Sequence, residues 1–175
     1  MERWLAVSDR LAGPCRLVAR LCGWLLLVLM AVILYDVIGR RFFSTGSFKL
    51  QELEWHIHGA IAVLCFGFAY VENAHVRIDL FSQRMTRKTR LWIEILAIAL
   101  FLIPFMVLLV WYGYDFTMRS FTRGEGSPGG VGLPNRWIIK SAIPIGALLT
   151  ISGGLSVMMR AIVALRRPDL VQELV

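Results

Sequence analysis

Six ionisable side chains stand inside otherwise apolar stretches of this 175-residue chain: Asp36, Glu54, His56, His58, Glu94 and Lys140. A charge held away from water is costly, so such residues point to an ion or proton relay, to pairing between helices, or to a ligand. The histidines raise haem ligation, since four-helix membrane proteins can hold an iron between imidazoles on facing helices. Spacing argues against it. His56 and His58 are two residues apart, roughly 200° round a helix, and His75 lies roughly 25 Å further along at 1.5 Å per residue. No two of them can ligate one iron from opposite faces within a single chain. The chain carries no C-x-x-C-H and no H-E-x-x-H motif, and Cys15, Cys22 and Cys65 lack metal-ligand spacing and read as small hydrophobes. The residues therefore ask for no cofactor, no metal and no catalytic group.

The elements that must position these side chains are four apolar stretches, residues 18–38, 53–71, 91–114 and 137–159. Each has about the twenty residues that a helix needs to cross a hydrocarbon core of roughly 30 Å. With 57% hydrophobic residues and charges gathered between the runs, the expectation is an all-α membrane protein of four transmembrane helices forming a single membrane domain. The net charge of +7 flanks the apolar runs, which fits anionic lipid headgroups rather than nucleic acid. Twelve of the nineteen Lys and Arg residues fall before the first span, between the second and third, and after the fourth. The positive-inside rule then puts both termini in the cytoplasm and the first and third connections outside. Residues 1–17 have apolar positions at helical spacing (Trp4, Leu5, Ser8, Leu11, Ala12, Cys15), which predicts an amphipathic helix lying on the inner surface and bent or broken at Pro14. In the second connection, Asp79 is placed to cap a short interfacial helix from Leu80. The third, RGEGSPGGVGLPN, predicts an irregular exposed loop.

On this topology Asp36, Glu54 and Lys140 fall near the outer ends of their spans, and Glu94 near an inner end, level with Arg20, Arg77 and Arg160. None of the carboxylates, nor the lysine, sits at mid-depth, where a relay would need one. Pairing is the expectation: Asp36 with Lys140 outside, and Glu94 with a basic neighbour inside. Span four carries a stripe of small residues, Ala142, Gly146, Thr150 and Gly153/Gly154, of the kind that lets another helix approach closely. The stripe is expected to bind a partner subunit, while the leucine- and phenylalanine-rich span three faces lipid or a broad apolar partner. Two other classes stay open on the residues alone: a membrane anchor of an oxidoreductase, and a small homo-oligomeric proton-coupled exporter using Asp36 or Glu54.

Particular segments then resemble one family. DVIGRRFF (Asp36–Phe43) leading to QELEW (Gln51–Trp55), AYVENAHVRIDLF (Ala69–Phe81) and W-x-x-K-S-x-I-P-I-G (Trp137–Gly146) are similar to the small membrane subunit, the Q or DctQ-like subunit, of tripartite ATP-independent periplasmic (TRAP) transporters. The resemblance covers residues 21–160. It implies a non-enzymatic scaffold in a bacterial inner membrane, working with a large multi-span membrane subunit and a periplasmic substrate-binding protein in sodium-coupled uptake of an organic solute. The matching positions are Arg40, Glu52, Asn73, His75, Arg77, Asp79, Trp137, Lys140 and Pro144. The resemblance implies that Asn73, Arg77 and Asp79 fix the turn out of span two, and that Arg40, Glu52 and Lys140 lie at the outer surface. His56 and His58 are outside the pattern.

Overall fold

The computed structural model describes residues 1–75, 85–127 and 131–167. They fold as helices and connections, with no strand among the described residues. In chain order the helices are α1 (Glu2–Phe43), α2 (Phe48–Leu64), α3 (Phe66–Val71), α4 (Arg87–Ala97), a π-helical turn (Ile98–Leu102), α5 (Ile103–Thr122) and α6 (Trp137–Arg166). Four continuous units result, α1, α2–α3, α4–α5 and α6, each long and apolar enough to cross a membrane.

The central helix is α6. Half of its apolar stretch is buried, against 6–11% in the other three units, which surround it. Its inward positions are mostly small, Ala142, Gly146, Ala147, Thr150, Gly153, Gly154, Ser156, Ala161 and Ala164, with Leu149, Val157 and Val163 among them. Without a hydrophobic driving force between helices in lipid, close packing of backbones and short polar side chains must hold them, and small residues permit that. The α4–α5 unit runs antiparallel to α6, with Gly113 against Ile143 and Pro144, Ile98 and Leu102 at Gly154, and Leu91 packed with Ala161 and Ala164. α2–α3 runs parallel to it, Val63 meeting Gly146 and Gly67 meeting Leu149 and Gly153.

α1 is one helix of 42 residues, about 63 Å at 1.5 Å per residue. That is about twice a hydrocarbon core, so even steeply tilted it must extend beyond one. Residues 2–17, expected as a surface helix bent or broken at Pro14, are helical and run without a break into the first span. An internal proline forfeits a hydrogen bond and crowds the preceding turn, at about 3 kcal/mol. Here residues on both sides of Pro14 are held against α6, Ser8 at Ser156 and Cys15 at Leu149, and the helix is not interrupted. The buried residues of α1 recur at an interval of seven, Ser8, Cys15, Cys22, Leu29 and Asp36, with Ala12 beside them. A seven-residue period keeps one seam facing its neighbours along a helix.

Pro104 lies just after the π-helical turn. A wider turn relieves the clash of the proline ring with the carbonyls before it. The turn also brings Ile98, which is fully buried, and Leu102 onto the face that meets Gly154.

Candidate functional site

Two polar clusters and one groove carry the ionisable residues. The first cluster sits at the end bearing the connections 44–47 and 123–136. Asp36 is buried and bonded to Arg40, one turn further along α1. Lys140 bonds to Glu125 and stands 4.0 Å from the centre of the Phe116 ring. The expected pair of Asp36 with Lys140 is therefore not formed. Each residue instead takes a nearer partner, Asp36 from its own helix and Lys140 from the connection that leads into α6. The Lys140 ammonium also holds the Glu125 carboxyl below the usual carboxylate range.

Glu52 has a definite task in this cluster. Its Oε2 accepts a hydrogen bond of 2.7 Å from the Leu133 backbone N–H, so the third connection is fastened to the top of α2. The connection is also tied to itself, Ser127 N–H to Leu133 O at 3.1 Å and Arg136 N–H to Glu125 O at 3.0 Å. His56 Nε2 lies 4.0 Å from the other oxygen of Glu52. The loop expected to be irregular and exposed is, over its described residues, irregular and largely exposed, and it is also fastened. A glutamate near the start of an apolar helix was the available signal for it. Gly124, at φ 57°, closes α5 with the N–H groups of Gly124 and Glu125 bonded to Phe121 and Ser120. Trp137 packs edge-on to Phe121 with ring centres 5.3 Å apart, and Pro144 rests its ring on Gly113.

The second cluster is at the opposite end. Ser8 and Ser156 donate their hydroxyls to each other's backbone carbonyl at 3.1 and 2.9 Å, and Ser152 donates to Leu11 O at 2.7 Å. Cys15 Sγ donates to Leu149 O at 3.2 Å. Arg160 reaches Ser8 Oγ at 3.0 Å and Asp9 at 2.6 Å, and Arg16 pairs with Glu72 at 3.0 Å. Glu94 accepts a hydrogen bond from Tyr70 at 2.7 Å. Asn73 adopts φ 55° and closes α3, its N–H bonded to Tyr70 O and that of Ala74 to Ala69 O. Asparagine tolerates this left-handed position better than most residues. His75 stacks on Phe66 with ring centres 6.0 Å apart. Arg77, Asp79 and the helix expected from Leu80 lie outside the described residues.

The groove lies between α1 and α2, has a volume of about 420 Å³, and is lined by Leu29, Ile33, Glu54, Trp55, His58 and Gly59. His56 and His58 point to different surroundings, the first to Glu52 and the second to this groove.

The small-residue stripe of α6 belongs inside the chain. A Cβ on Gly146 would stand 2.6 Å from the Val63 carbonyl oxygen, and one on Gly153 would stand 2.7 Å from that of Gly67. The surface expected to receive a partner is thus already covered by α2–α3. Most of the uncovered apolar surface is on the surrounding helices, where Trp24, Tyr35, Phe101, Phe105, Trp111 and Tyr112 are all exposed, and α6 adds Ile138, Ile145 and Leu148 on its open side. Such a bundle, packed from within and apolar outside, is built for lipid or for another membrane subunit.

Residues 29–168 match the family model described as tripartite ATP-independent periplasmic transporters, DctQ component. The chain belongs to this family. No curated protein matches it in sequence. As a DctQ component the chain is the small membrane subunit of a TRAP transporter, a transport component and not an enzyme. The match includes both the Glu52 fastening and the stripe of α6, and it begins at Leu29, beyond the part of α1 that clasps the far end of α6.

Proposed function

We propose that this DctQ component is the immobile small subunit in sodium-coupled uptake of an organic solute. The solute is delivered by a periplasmic binding protein to a large membrane subunit, which carries the solute and sodium sites. The observation that supports this most is the contrast between α6, locked by glycine-to-backbone contacts, and the surrounding helices with their broad apolar faces. Backbones in contact cannot slide without losing the packing that holds them, so the bundle suits a fixed support. Its outer faces supply bulk in the bilayer for the large subunit to brace against. Both termini lie in the cytoplasm of a bacterial inner membrane on this reading, and the fastened 123–136 connection faces the periplasm, where it can meet the binding protein.

The test is reconstitution of the large subunit with and without this chain, in vesicles supplied with binding protein, solute and an inward sodium gradient. Uptake is expected only when both membrane subunits are present. Equal uptake by the large subunit alone would contradict the proposal.

A further inference from the structure

The groove between α1 and α2 contains a carboxylate of span two, Glu54, that has no bond among the described residues. Glu54 Oε1 is shielded from solvent and has no hydrogen-bond partner among the described residues. Glu52, two residues earlier, faces the third connection and bonds there, so the two glutamates serve opposite sides of α2. His58, one helical turn beyond Glu54, lines the same groove, and Trp55 at its rim is 63% exposed. Leu29 and Ile33 of α1 form the facing wall. A buried carboxylate oxygen with no donor is costly, and more so at the edge of hydrocarbon. Acyl chains offer it nothing. A donor arriving on a protein helix removes the penalty and gains orientation from the groove, with an exposed tryptophan beside it as an anchor of the type that dominates interfaces.

We infer that this groove seats a membrane helix of the large subunit, which presents a side-chain N–H donor, guanidinium, ammonium or amide, to Glu54. This rests on the reading of the chain as a small transporter subunit, and it names where on the bundle the large subunit is engaged. The complementarity is chemical: an apolar trough around an acceptor calls for an apolar helix bearing one donor. His58 flanks the arriving group and can accept a second hydrogen bond from it.

The experiment uses the tagged full chain coexpressed with the large subunit, with recovery of the large subunit in detergent as the readout. Glu54→Ala should lower recovery at least about fivefold, because the partner's donor is left unpaired. Glu54→Gln, which keeps an acceptor oxygen, should retain part of it. Elution and thermal unfolding of the variants without the large subunit should match the parent chain, which separates lost docking from lost folding. A photo-crosslinking residue in place of Trp55 should form an adduct with the large subunit. Parental recovery with Glu54→Ala, or an adduct formed only with lipid or with a second copy of this chain, overturns the inference while the transporter reading stands. Failure of the parent chain to recover any large subunit overturns both.

Discussion

Glu52 and Lys140 illustrate how single side chains organise the end of the bundle that carries the third connection. Glu52→Ala leaves the Leu133 N–H without its acceptor, which should cost about 1–3 kcal/mol. Amide exchange across residues 131–136 should rise in that variant while the core of α6 stays protected, and uniform loss of protection would contradict the local role. The Glu125–Lys140 pair makes a prediction with a definite sign. A carboxyl whose folded-state pKa is lowered stabilises the fold above its ordinary value, and the contribution fades as pH falls through the lowered value. The thermal midpoint in detergent should therefore fall on acidification below about pH 4.5, the ordinary glutamate range. Lys140→Gln should remove part of that dependence, and an unchanged pH profile would show that the pair contributes nothing. Both glutamates were visible in the sequence as charges, but Glu125 stood in a glycine-rich loop and gave no sign of its partner. Asp36 and Lys140 share one end of the bundle, which is why they looked like a pair. Depth along a span says nothing about position around the bundle, and each had a partner closer at hand.

At the scale of helices, the contact between α6 and α2–α3 decides stability. A Cβ at Gly67 would fall 2.6 Å from the Leu149 carbonyl oxygen, and both Gly146 and Gly153 are equally confined. Backbone cannot give way as a flexible side chain can, so Gly67→Ala or Gly146→Ala should each cost at least about 1–3 kcal/mol by overpacking. The leucine variants should fail to fold. Gly13 and Gly23 in α1 have open space where a Cβ would go, and alanine there should be neutral or gain up to about 1 kcal/mol of helix propensity. Thermal unfolding of the four alanine variants in one detergent checks the contrast, and equal midpoints would show that the glycines do not set the helix spacing. The stripe was legible as a place of close approach because small residues recur every three or four positions. Whether the approaching helix came from this chain or another was not, since the same spacing serves both. The seam of α1 was hidden for a different reason: Ser8, Cys15, Cys22, Leu29 and Asp36 do not share a hydropathy, and the apolar residues around them mask the interval. Pro14 misled because a proline's local cost is fixed while the packing that offsets it comes from residues 149–156, far along the chain.

The whole molecule is an inside-out solution compared with a soluble bundle. Serines, glycines, two cysteines and an aspartate help fill the seams, and tryptophan, phenylalanine and leucine cover the outside. Four apolar runs of membrane-spanning length were readable directly, because length and hydropathy are additive along a sequence. Helix ends were not: α1 and α6 run on through charged residues that hydrocarbon excludes but helical hydrogen bonding does not. The arrangement fits the proposal of a supporting subunit, because most of the intramembrane charges already have partners within the chain. Asp36 and Lys140 are committed to internal pairs, Glu52 to a loop, and Glu94 to a tyrosine. If the bundle is a fixed support, a disulfide engineered between α6 and α3 should leave uptake by the assembled transporter unchanged. Loss of uptake that returns on reduction would show that these helices move. The central claim, that this chain supports transport and moves nothing by itself, is tested most directly in vesicles under an inward sodium gradient that contain it alone and are supplied with the binding protein and labelled solute. No uptake above empty vesicles is expected, and sodium-dependent accumulation of the solute in those vesicles would contradict the account.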